Sequence, residues 1–367
     1  MKLRRIAVRC FRNIEEAALE FEQPRIVILG ANGQGKTNLL ESVHLLCITR
    51  SFRRNRNDQL VMDGQSQFSL SASFDSDLRG RRSATASGGR GGLEFGLDGD
   101  PVRGRAQLFG QFPLVLLSPE KVVISQGGPE QRRRFLDQLI CFGSVTYLDS
   151  LQRFQRALRQ RNALLLNRVR SADAAGLDAW ENELALRAVE ITDRRRQFLE
   201  DWVPLFRSIY REEFGQGLEV DLRYRSGLGE HQDEAALRRE FQSRRERDRA
   251  RGGTTLGPHR DELDFRLDGR SLRDFGSQGQ HKLFMLGLVL AETRILEQIT
   301  GERPLLLLDD LFGVLDDERI ALIGERVGTH LQMLITTTST RHLDVLGRRD
   351  SQVFLCEHGT YRELANG

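Results

Sequence analysis

Residues 30–37 read GANGQGKT, a full match to the pattern G-x-x-x-x-G-K-[ST]. The context is the one the pattern needs. An apolar run, IVIL at 26–29, leads into it, and Leu39, Leu40, Val43, Leu46 and Cys47 follow at helical spacing, so the order is strand, glycine loop, helix. In such a loop Gly30, Ala31, Asn32, Gly33, Gln34 and Gly35 can turn backbone N–H groups onto phosphate oxygens, and the helix that follows adds the positive end of its dipole. Lys36 is then expected at the β- and γ-phosphates and Thr37 at Mg²⁺, which predicts a bound nucleoside triphosphate. The plainer reading is a glycine-rich turn with a chance lysine.

Far downstream, residues 305–319 read LLLLDDLFGVLDDER, a buried-type strand ending in two carboxylates. Such a strand is expected beside the one feeding the phosphate loop, which places Asp309 to hold Mg²⁺. On an extended chain Asp310 points to the opposite face. It is the candidate for polarising the attacking water, and its side chain, one methylene shorter than glutamate, predicts slow hydrolysis. A solvent-exposed strand cap is the bland alternative. Between the two motifs, residues 275–283 read FGSQGQHKL, where Ser277, Gln278, Gly279 and Gln280 precede an apolar helix. That is an ordinary N-cap, or a second anion-binding turn. The separation of loop and carboxylates, and the lack of an NKxD tetrad, argue against a compact nucleotide kinase or GTPase and for a P-loop domain split by an insertion.

The composition fits a globular protein of two or three domains: 367 residues, 39% hydrophobic and 29% charged. With 55 basic against 52 acidic residues the net charge is only +3, so a nucleic-acid surface has to come from local clusters. Lysine occurs only at Lys2, Lys36, Lys121 and Lys282. Cys10, Cys47, Cys141 and Cys356 are scattered without metal-ligand spacing, and no signal peptide or membrane span is legible, which predicts a cytoplasmic protein with no membrane contact. Alternation between Phe68 and Leu117 predicts an antiparallel, strand-rich part. Beyond Pro129 two helical stretches, through Tyr147, Leu151, Phe154, Leu158 and Leu165 and through Trp180, Leu184, Ile191, Phe198, Trp202 and Leu205, predict a helical hairpin. The expected division is the first part of a P-loop domain with a β-rich subdomain over 1–125, an inserted helical lobe over 126–255, and the second part of the P-loop domain over 256–367.

Taken together, these blocks resemble the RecF family of bacterial DNA repair proteins, short-armed relatives of SMC and ABC-type ATPases. The resemblance covers nearly the whole chain: Phe11-Arg12-Asn13, GANGQGKTNLLE, Ser51-Phe52-Arg53, LSPE at 117–120, GPEQRRRFLD at 128–137, QRALRQRNALL at 155–165, GPHRDEL at 257–263, GSQGQ at 276–280 and LLLLDDLFGVLD at 305–316. It implies an α/β fold, an ABC-type ATPase head with an antiparallel β subdomain and a helical short arm. It also implies that residues 277–280 reach the γ-phosphate held by a second copy, that Asp316 faces the same interface, and that ATP with Mg²⁺ joins two heads. Thr338 stands where transporters carry a switch histidine. Gly313, His281 and Gln126, the last a candidate Q-loop residue, are departures or unplaced positions. The family's role implies DNA binding at single-strand gaps, a weak DNA-stimulated ATPase, partnership with RecR, RecO and RecA, and service in DNA replication, repair and the SOS response.

The residues themselves offer three arginine clusters for DNA of low sequence specificity: Arg50, Arg53, Arg54 and Arg56; Arg132, Arg133 and Arg134; and residues 237–251. No aromatic interleaving suggests base stacking, so gapped or duplex DNA is read through its backbone. For each cluster a solvated, locally balanced face is the competing reading. At the level of the whole protein the competing functions are a nucleotide-holding adaptor that never hydrolyses and a P-loop small-molecule kinase.

Overall fold

Apolar alternation and apolar runs become two different kinds of sheet. The computed structural model describes all residues except 54–56, 105–106, 167–173, 216, 230–232, 311–319, 322–329, 347–350 and 365–367. In chain order it begins with β1 (Lys2–Phe11), β2 (Ile14–Glu20), β3 (Arg25–Leu29), α1 (Lys36–Ile48), β4 (Gln67–Ser76), β5 (Gly80–Gly89), β6 (Gly92–Leu97), β7 (Asp100–Pro101) and β8 (Leu114–Leu117). A helix-rich stretch follows, with α2 (Pro119–Val122), α3 (Pro129–Gly143), α4 (Val145–Leu166), α5 (Ala174–Phe214), β9 (Val220–Arg225), α6 (Glu234–Ser243) and α7 (Arg245–Ala250). Then come β10 (Glu262–Leu267), β11 (Arg270–Ser271), α8 (Leu272–Phe275), α9 (Gln278–Thr300), β12 (Leu305–Leu308), β13 (Met333–Thr337), α10 (Arg341–Leu346), β14 (Ser351–Glu357) and β15 (Thr360–Leu364). The chain forms two units, Met1–Val123 with Met285–Gly367, and Ile124–Phe284.

The first unit contains an antiparallel sheet of order β2-β1-β4-β5-β6-β7. On β4, Phe68, Leu70, Ala72 and Phe74 are buried while Ser69 and Ser71 between them are exposed, as a one-faced sheet requires. Its second sheet has the order β15-β14-β3-β13-β12-β8, parallel except for β15. Here Ile26, Val27, Ile28, Leu305, Leu306 and Leu307 have no exposed surface, the signature of strands covered on both faces. One expectation is corrected: β12 does not lie beside β3. Strand β13 pairs with both, Met333 facing Arg25 on one side and Leu306 on the other.

In the second unit, Ser150 bonds Glu190 and Arg161 bonds Glu181, so α4 and α5 run antiparallel. The 41-residue α5 is the longer arm, about 60 Å at 1.5 Å per residue. Residues 256–284, expected with the C-terminal part of the head, group instead with this unit. The reason is pairing: β10 completes a sheet with β9, in register from Glu262–Arg225 to Leu267–Val220. Arginine networks replace part of the apolar core. Arg161 is fully buried and donates to Glu181, Asp248, Thr254 Oγ1 and the Phe241 carbonyl at 2.7–3.0 Å. Arg195, also buried, holds Asp137, Asp261 and the Pro258 carbonyl. Among the described residues no helix is long and apolar enough to cross a membrane.

Each unit holds a histidine with a depressed pKa, His44 buried and His259 half-buried. His44, on α1, hydrogen-bonds the Arg50 carbonyl, and burial pushes its pKa down from 6.5 to about 4. His259 bonds the Thr254 carbonyl, and burial lowers it likewise to about 4. For a base depressed on folding, the unfolded chain binds more protons between pH 6.5 and 4. Stability is therefore intact above that window and falls as pH drops through it, by roughly 2 kcal/mol per histidine at pH 5. Urea midpoints at pH 7 and pH 5 measure this, and a flat profile contradicts it.

Candidate nucleotide site

The phosphate loop is built by what its helix lacks. Helix α1 starts at Lys36 behind Gly35, and no side chain caps it, so the first-turn N–H groups face whatever occupies the loop. Gly35 sits at φ +121°, and a Cβ there would meet Asn13 Oδ1 at 2.9 Å, so only glycine closes this turn. The Gly30 N–H anchors the loop's entry to the Thr337 carbonyl on β13 (3.1 Å). The Lys36 Nζ folds back across the loop and donates to the carbonyls of Gly30 and Ala31, both at 2.8 Å. Its burial lowers its pKa, and Asp310, Cys356 and Asp309 oppose that shift. A triphosphate would give this ammonium the anionic partner that two neutral carbonyls do not.

Asp309 arrives just after β12, its N–H bonded to the Leu117 carbonyl of β8. Although β13 separates β12 from β3, Thr37 Oγ1 donates to Asp309 Oδ1 at 2.9 Å, and Thr336 Oγ1, from the intervening strand, donates to the same oxygen at 2.8 Å. Burial raises the Asp309 pKa against the lowering effect of these two hydroxyls. A hydroxyl and a carboxylate within hydrogen-bond distance are hard oxygen donors that suit Mg²⁺, which takes one or two ligands from protein and the rest from phosphate and water. Among the described residues no group of three or more His, Cys, Asp or Glu gathers as a self-sufficient metal site. Asp310 departs from the extended chain assumed for it. The strand ends at Leu308, and Asp310 stands at φ +48° with its N–H on Thr336 Oγ1 (2.9 Å), so alternation does not set its direction.

A polar cluster behind the loop was not legible in the sequence, and it takes in Arg53, expected among the DNA-binding arginines. Glu41, one turn after Thr37 on α1, is fully buried and accepts Arg12 Nε (3.0 Å) and Nη2 (2.7 Å), the Ser51 hydroxyl, and an ion pair from Arg53 (3.6 Å). Asn38 joins Arg53 to Asn13, and Asn13 continues to the Gln34 carbonyl. The blocks Phe11-Arg12-Asn13 and Ser51-Phe52-Arg53 were visible as motifs; that they converge on one glutamate was not. Thr336 was likewise missed. Attention fell on Thr338, which is exposed, whereas Thr336 touches both aspartates.

The turn at residues 277–280 belongs to the other unit. Ser277 Oγ accepts the Gln280 N–H (3.2 Å) and the Gln280 side chain returns to the Ser277 N–H (2.8 Å), a reciprocal capping box opening α9. Ser277, Gln278 and Gly279 are exposed. His281 is buried below them against Ser125, and Gln126 bonds Gln278 at 3.1 Å. Asp316 and Gly313 lie outside the described residues.

Two of the three arginine clusters change meaning. Arg132 is buried and spent on Glu262 and the Gly127 carbonyl, Arg133 bonds the Asp261 carbonyl, and only Arg134 is exposed, paired with Glu130. Within 237–251, Arg244, Arg245 and Arg249 pair with Glu240, Glu181 and Glu246, leaving Arg238, Arg239, Arg247 and Arg251 exposed. Charge counts along a chain do not show these partners. Arg50 is exposed and Arg53 is half-buried, while Arg54 and Arg56 lie outside the described residues.

Comparison with known proteins agrees with this geometry. The model of the RecF/RecN/SMC N-terminal domain matches residues 2–361. The DNA replication and repair protein RecF of Geobacter sulfurreducens is 39% identical over 367 residues, covering 98% of this chain and 99% of that one. The chain belongs to the RecF family. A solved structure described as the recombination mediator RecF with ATP in the RecFOR pathway superposes with a TM-score of 0.88 at 28% identity, covering 99% of this chain and 98% of the other. An SMC head bound to the C-terminal winged-helix domain of ScpA matches with a TM-score of 0.58 at 13% identity, which extends the fold alone beyond the RecF family. The α/β ATPase-head architecture with a helical arm thus agrees with its relatives.

Proposed function

We propose that this protein is an ATP-dependent DNA-binding protein of recombinational repair and replication, whose two copies join on ATP to hold DNA at single-strand gaps. The observation that carries the nucleotide half is the 2.9 Å hydrogen bond from Thr37 to Asp309, which brings together a phosphate loop and a carboxylate 272 positions apart. Curated relatives named as DNA replication and repair proteins, and a solved relative described with ATP, support the rest.

In this reading residues 30–37 bind the triphosphate, with Lys36 leaving its two carbonyls for the β- and γ-phosphates. Thr37 and Asp309 would hold Mg²⁺, which would neutralise part of the phosphate charge. Asp310 takes a proton from a water molecule as the water's oxygen bonds to the γ-phosphorus and the bond from phosphorus to the β–γ bridging oxygen breaks, yielding ADP and phosphate. Ser277, Gln278, Gly279 and Gln280, with Asp316, complete the site of a second copy. Arg50, Arg238, Arg239, Arg247 and Arg251 contact DNA phosphates without reading bases. RecR, with RecO and RecA in the same pathway, takes over at the gap, and the setting is the cytoplasm.

Sedimentation of the protein on a gapped duplex tests the assembly: Mg-ATP is expected to double the bound mass, and an unchanged mass overturns the clamp. Asp310→Asn is expected to slow single-turnover hydrolysis at least tenfold while the ATP-joined dimer persists. Turnover that requires a small acceptor and ignores DNA would identify a kinase instead.

A further inference from the structure

The back of the phosphate loop is gripped by the hairpin between β14 and β15. The Gln34 carbonyl accepts three donors, the Gly359 N–H (2.7 Å), Asn13 Nδ2 (3.0 Å) and the Cys356 thiol (3.4 Å). The Gln34 side-chain oxygen accepts the His358 N–H (2.7 Å), and the Gly35 carbonyl accepts the Tyr361 hydroxyl (2.9 Å). Both turn residues have positive φ, +48° at His358 and +80° at Gly359, the two-residue turn whose twist suits adjacent antiparallel strands. At Gly359 a Cβ would strike the Asn13 carbonyl oxygen at 2.2 Å, so the positive φ and the close approach to the turn between β1 and β2 demand glycine there.

A planar trans peptide places its carbonyl and N–H on opposite sides. The Gln34 carbonyl is held toward the hairpin, and the Gly35 carbonyl is shared between Tyr361 and the Leu39 N–H of α1 (3.1 Å), which turns the N–H groups of Gly35 and Lys36 away from the hairpin, where a phosphate can meet them. We propose that the hairpin turn is a positioning element for the nucleotide: Tyr361 and Gly359 preset the two amide donors of the loop before any phosphate arrives. This rests on the nucleotide reading above. Preset donors need no reorganisation on binding, so the contribution belongs to the phosphates and not to the base.

The experiment is calorimetric titration of the parent and Tyr361→Phe with ATP and with adenosine, beside nucleotide-free thermal unfolding. Phenylalanine keeps the ring and removes only the hydroxyl. The expected result is a loss of ATP affinity of about fivefold to tenfold, an unchanged response to adenosine, and an unfolding temperature close to the parent's. Unchanged ATP affinity overturns the proposal, and so does a loss shared by adenosine or matched by lower nucleotide-free stability. A parent that binds no ATP overturns the nucleotide reading together with it, which separates the two failures.

Discussion

Lys36→Met is expected to weaken ATP binding about a hundredfold while leaving the nucleotide-free protein as stable as the parent or more so. The first effect follows from removing charge-assisted hydrogen bonds to phosphate, about 1.5–3 kcal/mol each where the donor is ionised. The second follows from the sign of the pKa shift. Lys36 is only 7% exposed, and burial lowers its pKa from 10.5. A lysine depressed on folding subtracts stability at every pH below its folded value, and the deficit closes only as pH rises past its ordinary value. Methionine has a similar length, fills the same space and carries no charge to desolvate. Urea midpoints with and without Mg-ATP decide the matter. The parent should gain stability from the nucleotide by linkage and the variant should not. A variant that binds ATP normally but melts early would assign Lys36 a merely structural part.

The largest stability effect is expected in the arm. Arg161→Met should cost about 3–5 kcal/mol, the range for breaking a fully buried ion pair from one side. Arg161, Glu181 and Asp248 have no exposed surface, and the guanidinium also lies over the Phe241 ring at 5.3 Å from its centroid. Arg245 still covers Glu181 after the substitution, whereas the Asp248 carboxylate loses its guanidinium and retains the Thr255 N–H and hydroxyl. Urea unfolding followed by far-ultraviolet circular dichroism measures the loss. A change below about 1 kcal/mol would mean that the arm repacks around an apolar side chain, as some buried ionic clusters permit.

These two residues mark the border of what a sequence can disclose. The strand, glycine loop and helix around Lys36 were legible because they are local and contiguous. Asp309 was legible as the end of an apolar run, yet the route to Thr37 was not, since β13 intervenes and adds Thr336 to the contact. The helical hairpin followed from periodicity. Its arginines did not yield to the same reasoning, because Arg132, Arg161 and Arg195 meet carboxylates from distant segments, and a buried arginine and a DNA-facing one look alike in a charge count. The grouping of residues 256–284 was missed for a similar reason: strand pairing between β9 and β10 is a long-range choice that local alternation leaves open.

The position of β3 between β13 and β14 also sets an order of assembly during synthesis. The strand that launches the phosphate loop leaves the ribosome roughly 300 residues before either of its hydrogen-bonding neighbours, a delay on the order of tens of seconds at ordinary elongation rates. The arm, contiguous from Ile124 to Phe284, has no such wait. A stalled nascent chain ending before Met333 should therefore display a protease-resistant arm beside an unfinished, chaperone-dependent head.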